Sequence, residues 1–177
     1  MRKIVSALKP WKWCLIGGRA VEIWTNPPQT PDIDLLVDVT DETVNSLCDS
    51  FRARGVQVNE LVEGLGSPMV FLKDHALKVE LDVIGAYEEL HFSIIRRAVT
   101  KTVQAVRFPV AYAEDIVILK SQALVDPGRR SDKKRRDRQA VRDIAASVKL
   151  DKAYIREALD VSGWSEELKM LQLMRVV

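Results

Sequence analysis

The sequence predicts an α/β (α+β) protein: a mixed sheet of about five strands flanked by helices, followed by a C-terminal helical part. Three observations carry that expectation. Short apolar runs bounded by Gly, Pro and Asp recur from Trp13 to Ile84. Among them, Val44, Leu47, Cys48 and Phe51 repeat at helical spacing. Beyond Gly85 the pattern becomes mostly helical. With 177 residues, 47% hydrophobic and 29% charged, the chain can bury one core of ordinary size. The expected division is a sheet-bearing core over residues 1–108 and a helical region packed on it over residues 109–177.

Taken in order, Ile4 to Leu8 form a short helix stopped by Pro10. Trp13 to Ile16 make a strand entering a tight turn at Gly17-Gly18, and Ala20 to Trp24 a helix. Asn26-Pro27-Pro28 break the chain before a second strand over Ile33 to Val39. Thr40 caps an amphipathic helix that runs to Gly55. Val56 to Val62, Met69 to Leu72 and Leu77 to Ile84 are further strands, separated by turns at Gly64 and Gly66 and at Asp74-His75. Thr100 to Phe108 read as one strand or extended stretch. Helices are expected over Tyr112 to Val125, Lys133 to Val148, Lys152 to Leu159 and Ser165 to Met174.

Composition narrows the function classes. The formal charge is only +2, so the chain as a whole is no polycation. Cys14 and Cys48 sit in apolar stretches, His75 and His91 lie far apart, and neither pair has zinc or disulfide spacing. No segment approaches the ~20 apolar residues that span a bilayer, and the opening residues do not read as a signal peptide. The expectation is a cytoplasmic protein with reduced thiols and no membrane partner. Trp11, Trp13, Trp24 and Trp164 read as core or interface, with Trp24 the one placed to matter beside Gly-Gly.

The chemistry lies in a relationship between two places. Asp32 and Asp34, two apart on a strand, project from one face while Ile33 and Leu35 point into packing. Like charges held together on an apolar strand are easiest to explain by a cation between them. Gly17 and Gly18 allow backbone N–H groups to approach an anion at a helix N-terminus. A triphosphate bridged to Mg²⁺ fits that arrangement, because Mg²⁺ takes one or two carboxylates and completes its shell with water and phosphate. A two-metal site calls for a third carboxylate. Glu80 and Asp82 share a strand face, and Asp82 is the favoured third acid with Glu80 as the alternative.

The Gly17-Gly18 pair, thirteen intervening residues and then Asp32-Ile33-Asp34 resemble the signature of the DNA polymerase beta type nucleotidyltransferase superfamily. Leu15-Ile16-Gly17-Gly18-Arg19-Ala20-Val21 and Thr30-Pro31-Asp32-Ile33-Asp34-Leu35-Leu36-Val37 are similar to its small bacterial branch. That branch includes abortive-infection toxins, and lincosamide-type antibiotic nucleotidyltransferases carry related wording. Agreement continues through Glu114-Asp115-Ile116-Val117-Ile118-Leu119-Lys120 and Arg136-Asp137-Arg138, covering Trp13 to Ile144. It departs at Pro27-Pro28-Gln29, where many relatives carry an arginine, and at Ala140, where they carry an acid.

The resemblance implies transfer of a nucleoside monophosphate from a nucleoside triphosphate to a hydroxyl acceptor. Asp32, Asp34 and Asp82 would be the catalytic, metal-holding residues, with Mg²⁺ or Mn²⁺ as the ion. Asp82 would also help take the proton from the acceptor. Gly17, Gly18, Arg19 and Lys120 would bind the nucleotide. The basic run from Gly128 to Arg142 fits an acidic ligand, so the acceptor in view is RNA, tRNA in a toxin setting with an antitoxin protein as partner. An antibiotic-modifying nucleotidyltransferase and a non-catalytic nucleotide-binding regulator are the alternatives.

Overall fold

The computed structural model describes residues 2–26, 32–63, 68–75, 79–103 and 105–177. The chain falls into two compact units, Met1–Arg19 with Gln29–Ala111, and Ala20–Pro28 with Tyr112–Val177.

The first unit is built on a seven-stranded mixed sheet. Its elements are α1 (Arg2–Ala7), β1 (Trp13–Ile16), β2 (Ile33–Val37), α3 (Val44–Arg52), β3 (Gln57–Val62), β4 (Met69–Asp74), β5 (Val79–Gly85), α4 (Glu89–Arg97), β6 (Val99–Val103) and β7 (Val106–Val110). Between β1 and β2, α2 (Gly17–Thr25) starts in this unit and continues into the other. The strand order is β3-β4-β5-β2-β1-β7-β6. Two pairs, β2 with β5 and β1 with β7, are parallel, and the rest are antiparallel.

The strand alternation separates two faces. Ile33, Leu35, Leu81, Val83, Val70 and Leu72 lie in register on one face and are buried. The other face carries Asp34, Asp82 and Phe71 in one row, all half-buried. Helix α4 packs on β1 and β2, and α3 on β3 and α1. The apolar stripe of α3, Val44, Leu47, Cys48 and Phe51, is fully buried. Truncating Phe51 to Ala would cost about 3–5 kcal/mol. Ser50 of α3 donates to the Ala7 carbonyl of α1 at 2.8 Å, and Arg54 donates to Ser6 at 3.1 Å.

The second unit is helical: the remainder of α2, then α5 (Ala113–Val125), α6 (Ser131–Ser147), α7 (Lys152–Val161) and α8 (Ser165–Leu173). Helix α5 buries residues around most of its circumference and packs against α6, α7 and α8, as a helix without a polar face must. Its first turn holds Glu114 and Asp115, favourably placed for the helix dipole. Glu114 accepts the Asp151 backbone N–H at 2.9 Å, and Asp115 accepts the Tyr154 hydroxyl at 2.7 Å, tying α5 to the start of α7. No described helix is long and apolar enough to cross a membrane.

The sheet has two strands more than the sequence suggests. Thr100 to Phe108 is not one stretch but the hairpin β6–β7, which turns at Ala105 with φ +59°. A left-handed turn there without Gly, Asn or Asp left no hairpin signal to read. The second strand ends at Val37 rather than Val39, and α3 takes Thr43 rather than Thr40 as its N-cap. The expected features at Pro27-Pro28-Gln29, Thr30-Pro31, Gly64, Gly66, Leu77 and Lys78 lie outside the described residues.

Candidate active site

The site is assembled on the half-buried face of β2 and β5. Because the two strands are parallel with Asp34 opposite Asp82, their carboxylates leave the same face from neighbouring strands. Adjacent strands are about 4.8 Å apart, so like charges are set side by side. Asp32 stands one residue before β2 and is exposed. Glu80, the alternative third acid, is 64% exposed and forms an ion pair with Lys73 at 3.6 Å, across the β4–β5 register. Asp82, rather than Glu80, is therefore the acid placed beside Asp34.

The Gly-Gly pair does not form a separate turn: Gly17 and Gly18 open α2 directly. Gly17 adopts φ +65°, and a Cβ there would lie 1.7 Å from Asp34 Oδ2. Only glycine can occupy that position, on conformational and steric grounds alike. Gly18 donates its backbone N–H to Asp34 Oδ2 at a long 3.4 Å. The two glycines thus let the Asp34 carboxylate approach the start of α2, where the helix dipole favours negative charge. Arg19, half-buried, follows at once.

Among the described residues, no group of three or more His, Cys, Asp and Glu side chains gathers into a ready metal cage. The donor set on β2 and β5 nonetheless suits a hard divalent cation. Carboxylate oxygens are its preferred ligands, and Mg²⁺ takes only one or two from protein before turning to water and phosphate.

In the helical unit, Lys120 lies on α5 with its ammonium 2.6 Å from Asp137 Oδ1. Asp137 is 2% exposed and takes Arg129 on its second oxygen, from Nε and Nη2 at 2.7 Å each. In the sequence Asp137 stands out only as the middle of Arg136-Asp137-Arg138, with no role of its own. A signal was present: Asp137 falls with Ala140, Val141 and Ile144 on the buried face of α6. The basic run is also less free than it reads, because Arg130 and Arg136 both engage Asp132. Arg135, Arg138 and Arg142 follow at i, i+3 and i+7, opposite the buried face.

The remaining residues singled out in the sequence have structural surroundings. Trp24 stacks on Tyr112 with ring centroids 6.2 Å apart. His75 Nε2 lies 2.6 Å from Gln57 Oε1. His91 is buried against the Tyr87 ring, with Nε2 3.3 Å from Glu88, and burial pushes its pKa down to about 4. Both cysteines are buried and unpaired by disulfide, and burial pushes the Cys48 thiol up.

No protein-family model and no curated protein matches the chain. Solved structures do. An antigenic nucleotidyltransferase-like protein from Paracoccidioides brasiliensis is 18% identical with a TM-score of 0.50, over 97% of this chain and 90% of that one. The antibiotic-resistance factor ANT(2'')-Ia, in solution, is 17% identical with a TM-score of 0.57, over 98% and 94%. Its complex with adenylyl-2''-tobramycin is 18% identical with a TM-score of 0.58, over 91% and 95%. The chain shares the fold of these nucleotidyltransferase-like structures.

Proposed function

We propose that the protein is a metal-dependent nucleotidyltransferase that moves a nucleoside monophosphate from a nucleoside triphosphate to a hydroxyl acceptor. The observation that carries this reading is the register of Asp34 with Asp82, with Gly17 as the one residue type that admits the Asp34 carboxylate. Asp34 and Asp82, with Asp32, are the residues that would hold Mg²⁺ or Mn²⁺. The bound ion would neutralise charge on the triphosphate and orient its phosphoryl group. Asp82 takes the proton of the acceptor hydroxyl, while Gly18 steers the Asp34 carboxylate through its N–H. Arg19 and Lys120 supply cations for the phosphates, and release of pyrophosphate balances the transfer.

The favoured acceptor is RNA. Its support is the stripe of Arg135, Arg138 and Arg142 on one side of α6, which suits a polyanion backbone. Reversing two of these to Glu should weaken RNA binding and flatten its salt dependence by about one charge per residue. A small hydroxylated antibiotic is the second reading, favoured by the likeness to ANT(2'')-Ia, solved with adenylyl-2''-tobramycin.

The deciding experiment supplies each α-labelled triphosphate with Mg²⁺ to total RNA, purified tRNA, lysate protein and an aminoglycoside panel, with Asp34→Ala in parallel. Label in one fraction, lost in the variant, establishes the reaction and names the acceptor. Triphosphate binding with no product in any fraction would leave a nucleotide-binding regulator and sink the enzyme reading. A toxin opposed by an antitoxin requires one result more: growth arrest on expression of the active protein, absent for Asp34→Ala.

A further inference from the structure

The face of α6 that buries Ala140, Val141 and Ile144 also buries Asp137, where an apolar side chain would continue the packing. A buried ion pair is seldom more stabilising than well-packed apolar residues of the same volume, so stability is a weak reason for a carboxylate here. Its partners suggest another. Asp137 receives Lys120 on Oδ1 at 2.6 Å and Arg129 on Oδ2 at 2.7 Å, so one anion holds two cations and the cluster carries a net positive charge. The ammonium has three N–H donors and the guanidinium five. After Asp137 is served, two remain on Lys120 and three on Arg129. The Lys120 and Arg129 side chains are 17% and 29% exposed, so a soluble anion can reach them. Without the carboxylate the two cations would repel and separate.

We propose that Asp137 is a positioning residue that holds Lys120 and Arg129 together as a preorganised polyphosphate-binding pair, which makes Arg129 a phosphate ligand alongside Lys120. Preorganisation matters because donors already in place lose little freedom when the anion arrives. Assigning the polyphosphate to a nucleoside triphosphate rests on the nucleotidyltransferase reading. The anion site itself does not.

The test measures affinity of the whole chain for inorganic triphosphate and for ATP, by calorimetry, with thermal melts recorded alongside. Lys120→Met and Arg129→Met should each weaken inorganic triphosphate by about tenfold, and Asp137→Asn by a comparable factor. In transfer assays, the Asp137→Asn loss should fall on KM for the triphosphate, with kcat changed much less. The decisive readout is a double-mutant cycle: added to the Lys120→Met, Arg129→Met double variant, Asp137→Asn should cost no further affinity. A full additional loss would assign Asp137 to structure alone and overturn the inference, as would unchanged affinity in Arg129→Met, a variant independent of whether Asp137→Asn folds. Wild-type protein that binds inorganic triphosphate but transfers nothing would sink the enzyme reading and leave this one standing. Unchanged affinity in the variants, with transfer intact, would overturn this inference alone.

Discussion

Asp34 with Asp82, and Asp137, are two opposite uses of a carboxylate. On the sheet, two acids face the same way from neighbouring strands, so the fold sets like charges together. In the helical unit, one buried acid is enclosed by two cations and both its oxygens are engaged. The first arrangement would suit an incoming cation, whereas the second leaves donors for an incoming anion. The difference teaches where to look for ligands: the sign of the local charge imbalance names the ligand's charge.

The comparison breaks most sharply at Asp34. Asp34→Asn should lower nucleotidyl transfer by about a thousandfold or more while leaving the melting temperature nearly unchanged. A melt that falls by several degrees would show that Asp34 stabilises the fold and would end the contrast. Asp137→Ala should behave oppositely, with unfolding in urea showing a loss of about 3–5 kcal/mol because Lys120 and Arg129 are left beside each other without their counter-ion. Removing Asp49 from its exposed pair with Arg52 should cost under about 1 kcal/mol in the same assay.

Gly17→Ala should destabilise by about 2–4 kcal/mol, from a left-handed backbone and a Cβ that displaces Asp34. Gly55→Ala is the matched control, with φ +72° but no atom within 4 Å of the added Cβ. Equal losses at the two glycines would mean that contact with Asp34 contributes nothing.

A smaller effect comes from His91. Its folded-state pKa of about 4 lies below the unfolded value of about 6.5, so the unfolded chain takes up the proton first. Its contribution is therefore full above pH 6.5 and is lost as the pH falls from 6.5 toward 4, by about 3 kcal/mol. Urea unfolding of wild type and His91→Leu at pH 7 and pH 4.5 would reveal it as the difference in pH dependence. Identical slopes would place the imidazole in contact with water.

The Gly17-Gly18 and Asp32-Ile33-Asp34 spacing was legible because it is local: a period of two on a strand puts alternate residues on one face whatever surrounds it. The helical stripe of α3 and the apolar α5 were legible for the same reason. The hairpin at Ala105 was not, because a residue without turn propensity takes φ +59° only under the pull of strand pairing with its neighbours. The choice between Glu80 and Asp82 was also beyond reach, since both share a face and only the β2–β5 register places Asp82 opposite Asp34. The sequence by itself determined most of the elements, the acidic strand faces and the basic run, all of which follow from spacing along one segment. The tertiary structure decided which acid meets which, that Gly17 exists to admit Asp34, and that Asp137 is enclosed by Lys120 and Arg129. Those facts join residues 16 to 48 positions and 8 to 17 positions apart in the chain, and no local period encodes such a meeting.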